Sequence, residues 1–353
     1  MRQPNVTDAT CAIKVGYRNC PAVRRRLASP YHAKHRKIAA IETGHLIKAP
    51  RVVPVSDGTM ILSVLHRTTY RYRRKVSFGE HRLMFRPRDS HDLRLLDTSL
   101  LLRPAASVRW LHDVFGNSVA IARFATEADE LMLESSFRVK HYPIEAQEIE
   151  LEPYAQRYPF SYPEDELPDL RPCNERHYPD PRDRVGAWAR EMLDGRGEAD
   201  TLDLLMAMTR RIRDEFSYSR RGEVGTRAPT RTLELHEGTC RDYALLMMEA
   251  VRSLGFATRF VTGYLYDESL VEGTSSLVGG GETHAWLQVY LPGAGWVEFD
   301  PTNALIAGRN LIRVAVARDP SQAIPLSGTY FGLREDDLGM TVDVQVSAEP
   351  APG

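Results

Sequence analysis

The chain has 353 residues, 42% hydrophobic and 26% charged positions, and a formal net charge of −1. That is enough chain for two globular units, each with its own core, and the balanced charge argues against nucleic acid or an anionic membrane as a partner. Four scattered cysteines, Cys11, Cys20, Cys173 and Cys240, form no CxxC pair and no dense disulfide framework, no run of about 18 apolar residues exists, and the N-terminus lacks a secretory pattern, so a reducing cytoplasm is expected.

Residues 1–59 hold eleven Lys or Arg against three acids, with Pro4, Pro21, Pro30, Pro50 and Pro54 interrupting any period. Such a segment is expected to be a disordered basic extension, or to precede a true start at Met60. A metal site from Cys11, Cys20, His32 and His35 fits no common zinc spacing, and neither a cofactor nor a metal is expected.

From Met60 the texture becomes period-2. Ile61, Ser63 and Leu65 lead into Thr68–Tyr72, followed by Arg82–Arg86, Leu100–Leu102, Val108–Asp113, Ser118–Phe124 and Leu131–Val139, separated by turn signals such as Arg103-Pro104 and Phe115-Gly116-Asn117. Short strands without a helical stretch predict an antiparallel β-sandwich over 60–145. Residues 146–182, dense in proline from Pro153 to Pro181, read as a linker.

Helical periodicity takes over in 183–320. Val185, Trp188, Ala189, Met192 and Leu193 share one face. A second helix runs from a Thr201 cap through Leu204, Leu205, Met208 and Ile212. A third starts near Gly238-Thr239-Cys240, buries Ala244, Met247, Met248 and Val251, and stops at Gly255. Strands follow at Thr258–Tyr266, His284–Leu291 and Trp296–Asp300, which makes the fold class α+β, helices packed on an antiparallel sheet. Residues 321–353 form a tail with strand character at Met340–Val346. The insertion between Tyr266 and Thr283, rich in serine and glycine, is either a disordered hairpin tip or a loop that closes over substrate.

Chemistry concentrates at three positions. An isolated cysteine on a helix is most often a small core residue, but Cys240 lies in the first turn, where unpaired N–H groups favour the thiolate, and Gly238 lets backbone approach closely. His284 opens one strand and Asp300 closes the next. The short Pro292–Gly295 loop makes these a hairpin with both residues at its open end. An imidazole pinned by a carboxylate and facing a thiol is the set nucleophilic acyl transfer requires. His236, four residues before the cysteine, is a rival base without a strand partner. Asp242 reads as a first-turn charge complementing the helix dipole and Arg241 as a surface or loop-anchoring residue. A second oxyanion donor, beside the Cys240 N–H, could come from Tyr218 or from 234–236.

Four blocks in order, Gly238–Ala244, Ala257–Tyr264, Thr283–Trp286 and Trp296–Thr302, resemble the bacterial transglutaminase-like superfamily. His66–Tyr72, Arg86-Pro87-Arg88 and Asp113–Asn117 resemble the β-rich N-terminal domain that accompanies this core. The resemblance covers about 60–346. It implies a papain-like cysteine site with Cys240, His284 and Asp300 as triad, acting on a peptide or amide. Hydrolysis by a peptidase or amidase is the first expectation, because neither an EF-hand loop nor chain for the extra domains of animal transglutaminases is present. Transfer to a primary amine and a non-catalytic binding protein are the alternatives. Gene-neighbourhood habits of the family imply ATP-grasp ligases and α-E proteins as partners.

Overall fold

The computed structural model describes residues 60–350 except 143–145, 194, 220–224, 268–277, 279–282 and 309. The basic extension, its Cys11, Cys20, His32 and His35, and nearly all of the serine- and glycine-rich insertion lie outside the described residues.

The elements run in the order β1 (Met60–Phe78), β2 (His81–Leu83), β3 (Leu93–Arg103), β4 (Ala106–His112), β5 (Ser118–Phe124), β6 (Ala128–His141), β7 (Arg157–Tyr158), α1 (Leu167–Asn174), α2 (Arg184–Arg190), β8 (Ala199–Asp200), α3 (Thr201–Glu215), β9 (Ser217–Tyr218), α4 (Pro229–Leu235), β10 (Glu237–Gly238) and α5 (Cys240–Ser253). They continue with β11 (Thr258–Leu265), β12 (Thr283–Leu291), β13 (Gly295–Asp300), β14 (Leu305–Ile306), β15 (Leu311–Ala317), β16 (Leu326–Ser327), β17 (Tyr330–Phe331) and β18 (Asp337–Pro350). An antiparallel β-region is followed by helices on a sheet, the α+β arrangement expected from the order of periodicities.

Strand β1 is long because its alternation persists through Leu62, Val64, His66 and Thr68 and on to Tyr72 and Val76, all buried. It pairs antiparallel with β6 along one edge and with β18 and β17 along the other. A second sheet, in the order β16–β2–β5–β4, packs over it through Leu83, Phe85, Ala120, Ala122, Leu131 and Leu133. The tail strand expected at Met340–Val346 thus extends over Asp337–Pro350 and completes the sheet of the first strand, Val64 standing opposite Val346. Period 2 predicts a strand but not its neighbour.

The third sheet, β14–β13–β12–β11–β15, is antiparallel throughout. Ala285, Leu287, Val289 and Leu291 from β12 turn to the helices and meet Met247, Met248 and Val251 of α5 and Leu205 and Met208 of α3. Its other face rests on the β-region: Tyr264, Ile312 and Val314 pack with Leu62, Val64 and Phe137.

The proline-rich stretch read as a linker is packed on this core. Tyr158 stacks on Phe256, Phe160 meets Phe256 edge-on, and the Tyr162 hydroxyl donates to the Tyr290 carbonyl and accepts from the Ala257 N–H, both at 2.9 Å. Aromatic residues between the prolines supply the apolar surface that a free linker lacks, and α1 carries Pro172 within it. A smaller correction concerns α3. Its N-cap is Asp200, whose carboxylate accepts from the Asp203 N–H (3.1 Å), while the expected cap, Thr201, donates to the Ala155 carbonyl (2.6 Å).

Candidate active site

Cys240 is the first residue of α5, and two features fix it there. Asp242 reaches back so that its Oδ2 accepts from the Thr239 N–H (2.9 Å) and hydroxyl (3.0 Å), closing the first turn. Its Oδ1 accepts from the Arg227 N–H (2.7 Å). Asp242 is fully buried, so it anchors the loops around the nucleophile as well as complementing the helix dipole. Just upstream, β10 runs parallel to β9 and sets Tyr218 opposite Gly238. Cys240 itself is 7% exposed, accessible only at the helix tip.

His284 sits at the start of β12, opposite Gly263 in β11. A β-carbon on Gly263 would collide with the Ile312 carbonyl and the Trp286 indole, so only glycine lets β15 and the indole close around the histidine. Asp300 ends β13. The His284 Nε2 donates to Asp300 Oδ2 at 2.8 Å, and both side chains are fully buried. Two groups outside the predicted set complete the carboxylate's shell: the Thr302 N–H on Oδ1 (2.9 Å) and Asn303 Nδ2 on Oδ2 (2.8 Å). Asn303 in turn exchanges hydrogen bonds with the Val278 backbone at 2.7 and 3.1 Å. The Asp-Pro-Thr-Asn string after the strand carries the signal of a side-chain-capped turn, which would have pointed to Thr302 and Asn303. Trp286, two residues on, stacks on the imidazole with ring centroids 5.9 Å apart.

Burial by itself would push the His284 pKa down, but the Asp300 charge and hydrogen bond, with a further contribution from the Cys240 thiol, win and raise it to about 10. Burial likewise works against ionised Asp300, yet the imidazole and the Asn303 and Thr302 donors hold it below the usual carboxylate range. The thiol is therefore an interaction partner of the ring, although His284 Nδ1 makes no hydrogen bond of regular geometry.

The other candidates fall elsewhere. His236 is exposed, caps α4 in a left-handed conformation (φ 48°) and lies against the Phe216 ring at 4.7 Å between centroids, with no carboxylate among the described residues orienting it. Arg241 is half-buried beside the nucleophile. A cavity of about 320 Å³ bordered by Asp92, Glu148, Gly293 and Trp296 includes none of Cys240, His284 and Asp300; chemistry, not volume, marks the site here.

Residues 62–140 match the bacterial transglutaminase-like N-terminal region and residues 187–301 match the transglutaminase-like superfamily. The chain belongs to the transglutaminase-like superfamily. An uncharacterized protein of Mycobacterium tuberculosis is 27% identical over 314 residues, covering 85% of this chain and 96% of its own. A protein-glutamine gamma-glutamyltransferase of Pseudomonas aeruginosa is 35% identical over 69 residues, 20% of this chain and 10% of that one. Among solved structures, a candidate cysteine protease of Cytophaga hutchinsonii superposes with a TM-score of 0.60 at 19% identity, covering 84% of this chain and 92% of that one. At that identity the likeness speaks for the fold, and it extends across the β-region as well as the transglutaminase-like core.

Proposed function

We propose that the chain is a cysteine-dependent hydrolase of peptide or amide bonds, with Cys240 as nucleophile, His284 as general base and acid, and Asp300 as the residue that orients the imidazole. The observation that carries this reading is the fully buried His284–Asp300 pair, acting on a thiol at the first turn of α5. Cys240 Sγ, its proton already held on His284 in a thiolate–imidazolium pair, attacks the carbonyl carbon. The oxyanion accepts from the Cys240 N–H at the helix start, where the macrodipole adds to the donor, with Tyr218 beside Gly238 as second donor. The imidazolium then protonates the leaving amine, the C–N bond breaks and a thioester remains. Water, deprotonated by His284, attacks the thioester; the acid leaves and the thiolate–imidazolium pair is restored.

The short match to a protein-glutamine gamma-glutamyltransferase supports a second reading, in which a primary amine replaces water in the last step. Incubation with a glutamine-bearing peptide and a fluorescent primary amine separates the two. Ammonia release without incorporation supports hydrolysis, incorporation supports amine transfer, and neither product above the Cys240→Ala background across a panel of amides would leave a binding protein that keeps the fold.

A further inference from the structure

The Asp113–Asn117 loop joins β4 to β5 in the N-terminal region and meets the core next to the histidine. Its shape is fixed from within. Asp113 Oδ1 accepts from the Phe115 and Asn117 N–H groups (2.9 and 2.8 Å), and its Oδ2 accepts from Asn117 Nδ2 (3.0 Å). Gly116 takes φ +73°, and a β-carbon there would crowd the Arg88 guanidinium, which donates to the Phe115 carbonyl (3.0 Å). Asn117, 1% exposed, then bonds to β15 as a strand would: Nδ2 donates to the Val316 carbonyl (2.6 Å), and Oδ1 accepts from the Val316 N–H (2.9 Å). So anchored, the loop lays Phe115 against the cluster of Val261, Leu265, Trp286, Leu311 and Val316. Trp286 is the ring stacked on His284, and its buried indole N–H has no hydrogen-bond partner among the described residues. Packing alone therefore orients the indole.

We propose that Phe115, clamped by Asn117, is a positioning residue for the active site: through Trp286 it holds the His284 imidazole against Asp300. The inference rests on the catalytic reading of His284 and assigns the N-terminal region a part in the chemistry. A misplacement of about 1 Å in a catalytic group can cost on the order of 10²-fold in rate, and a ring that turns from the carboxylate loses the contact that keeps it protonated. The titratable groups acting on the ring are Asp300 from β13 and Cys240 from α5; Phe115 also packs against the helix-side cluster to which Cys240 belongs.

The test follows the His284 ring by ¹⁵N-histidine NMR against pH, and Cys240 alkylation by iodoacetamide, in the full chain. In Phe115→Ala the His284 midpoint should fall by at least about half a pH unit, and alkylation should slow severalfold. Val114→Ala, at the 90% exposed tip of the same loop, should change neither. Should Phe115→Ala not fold, Phe115→Leu, which keeps apolar bulk but not the aromatic ring, provides the same readout. A His284 midpoint unmoved in the folded Phe115 variant overturns the inference, whatever happens to stability. The catalytic reading itself fails by a different sign, wild-type alkylation that does not depend on His284.

Discussion

At the scale of single residues, the candidate site is a question of which charge form burial permits. A fully buried imidazole should be neutral and a fully buried carboxylate protonated, yet each holds the other charged. Asp300→Asn removes the charge that raises the His284 pKa. The alkaline limb of kcat/KM should therefore move to lower pH, and kcat should fall on the order of 10³-fold or more through loss of tautomer control; a pH–rate profile checks both. Linkage gives a companion result. The His284 pKa is raised on folding, so its share of stability is fully present below about 6.5 and is lost as pH rises toward about 10. Urea midpoints of Asp300→Asn should show less decline across that window than wild type. Cys240, His284 and Asp300 were legible because a helix start, a strand start and a hairpin end are each marked in the sequence. Asn303 was marked only indirectly, by the Asp-Pro-Thr-Asn turn signal, and its bond to Asp300 depends on where the chain turns after Pro301.

At the scale of elements, segments whose apolar residues repeat declared themselves and those without such a repeat did not. The α3 and α5 stripes recur over three or more turns, whereas α4 spans Pro229–Leu235, two turns, and offers no period to detect. The proline-rich stretch shows the opposite failure: composition suggested a linker, but Tyr158, Phe160 and Tyr162 dock it. Tyr162→Phe leaves the buried Ala257 N–H and Tyr290 carbonyl without the hydroxyl they share, at a cost of about 1–3 kcal/mol, measurable by denaturant titration. Asp242→Ala should cost at least as much, because three donors lose a common acceptor, and it should also slow Cys240 alkylation by loosening the first turn. Conversion to Asn, which keeps an acceptor, should recover part of both.

At the scale of the whole molecule, segments far apart in the chain meet in ways local pattern cannot specify. Strand β18 closes the sheet begun by β1, and its Val344 joins Leu62, Phe137 and the core residues Tyr264 and Ile312 in one cluster. Sequence alone divided the chain into successive blocks; the described structure instead laces the 321–353 block to the 60–145 block, with the third sheet packed between the helices and the β-region. Deleting 337–353 should expose a long β1 edge and open that cluster, giving loss of cooperative unfolding by calorimetry or an aggregating product rather than a small shift in Tm.

The central claim, that His284 activates the thiol of Cys240, is tested most directly by site-resolved alkylation kinetics. The comparison residue is internal: Cys173 is free, half-buried, and its thiol is pushed up by burial. Peptide mass spectrometry after timed iodoacetamide exposure of the folded chain should show Cys240 reacting faster than Cys173 near neutral pH. His284→Ala should abolish that advantage while leaving Cys173 unchanged. Cys240 reacting no faster than Cys173, or at a rate indifferent to His284→Ala, would contradict the mechanism.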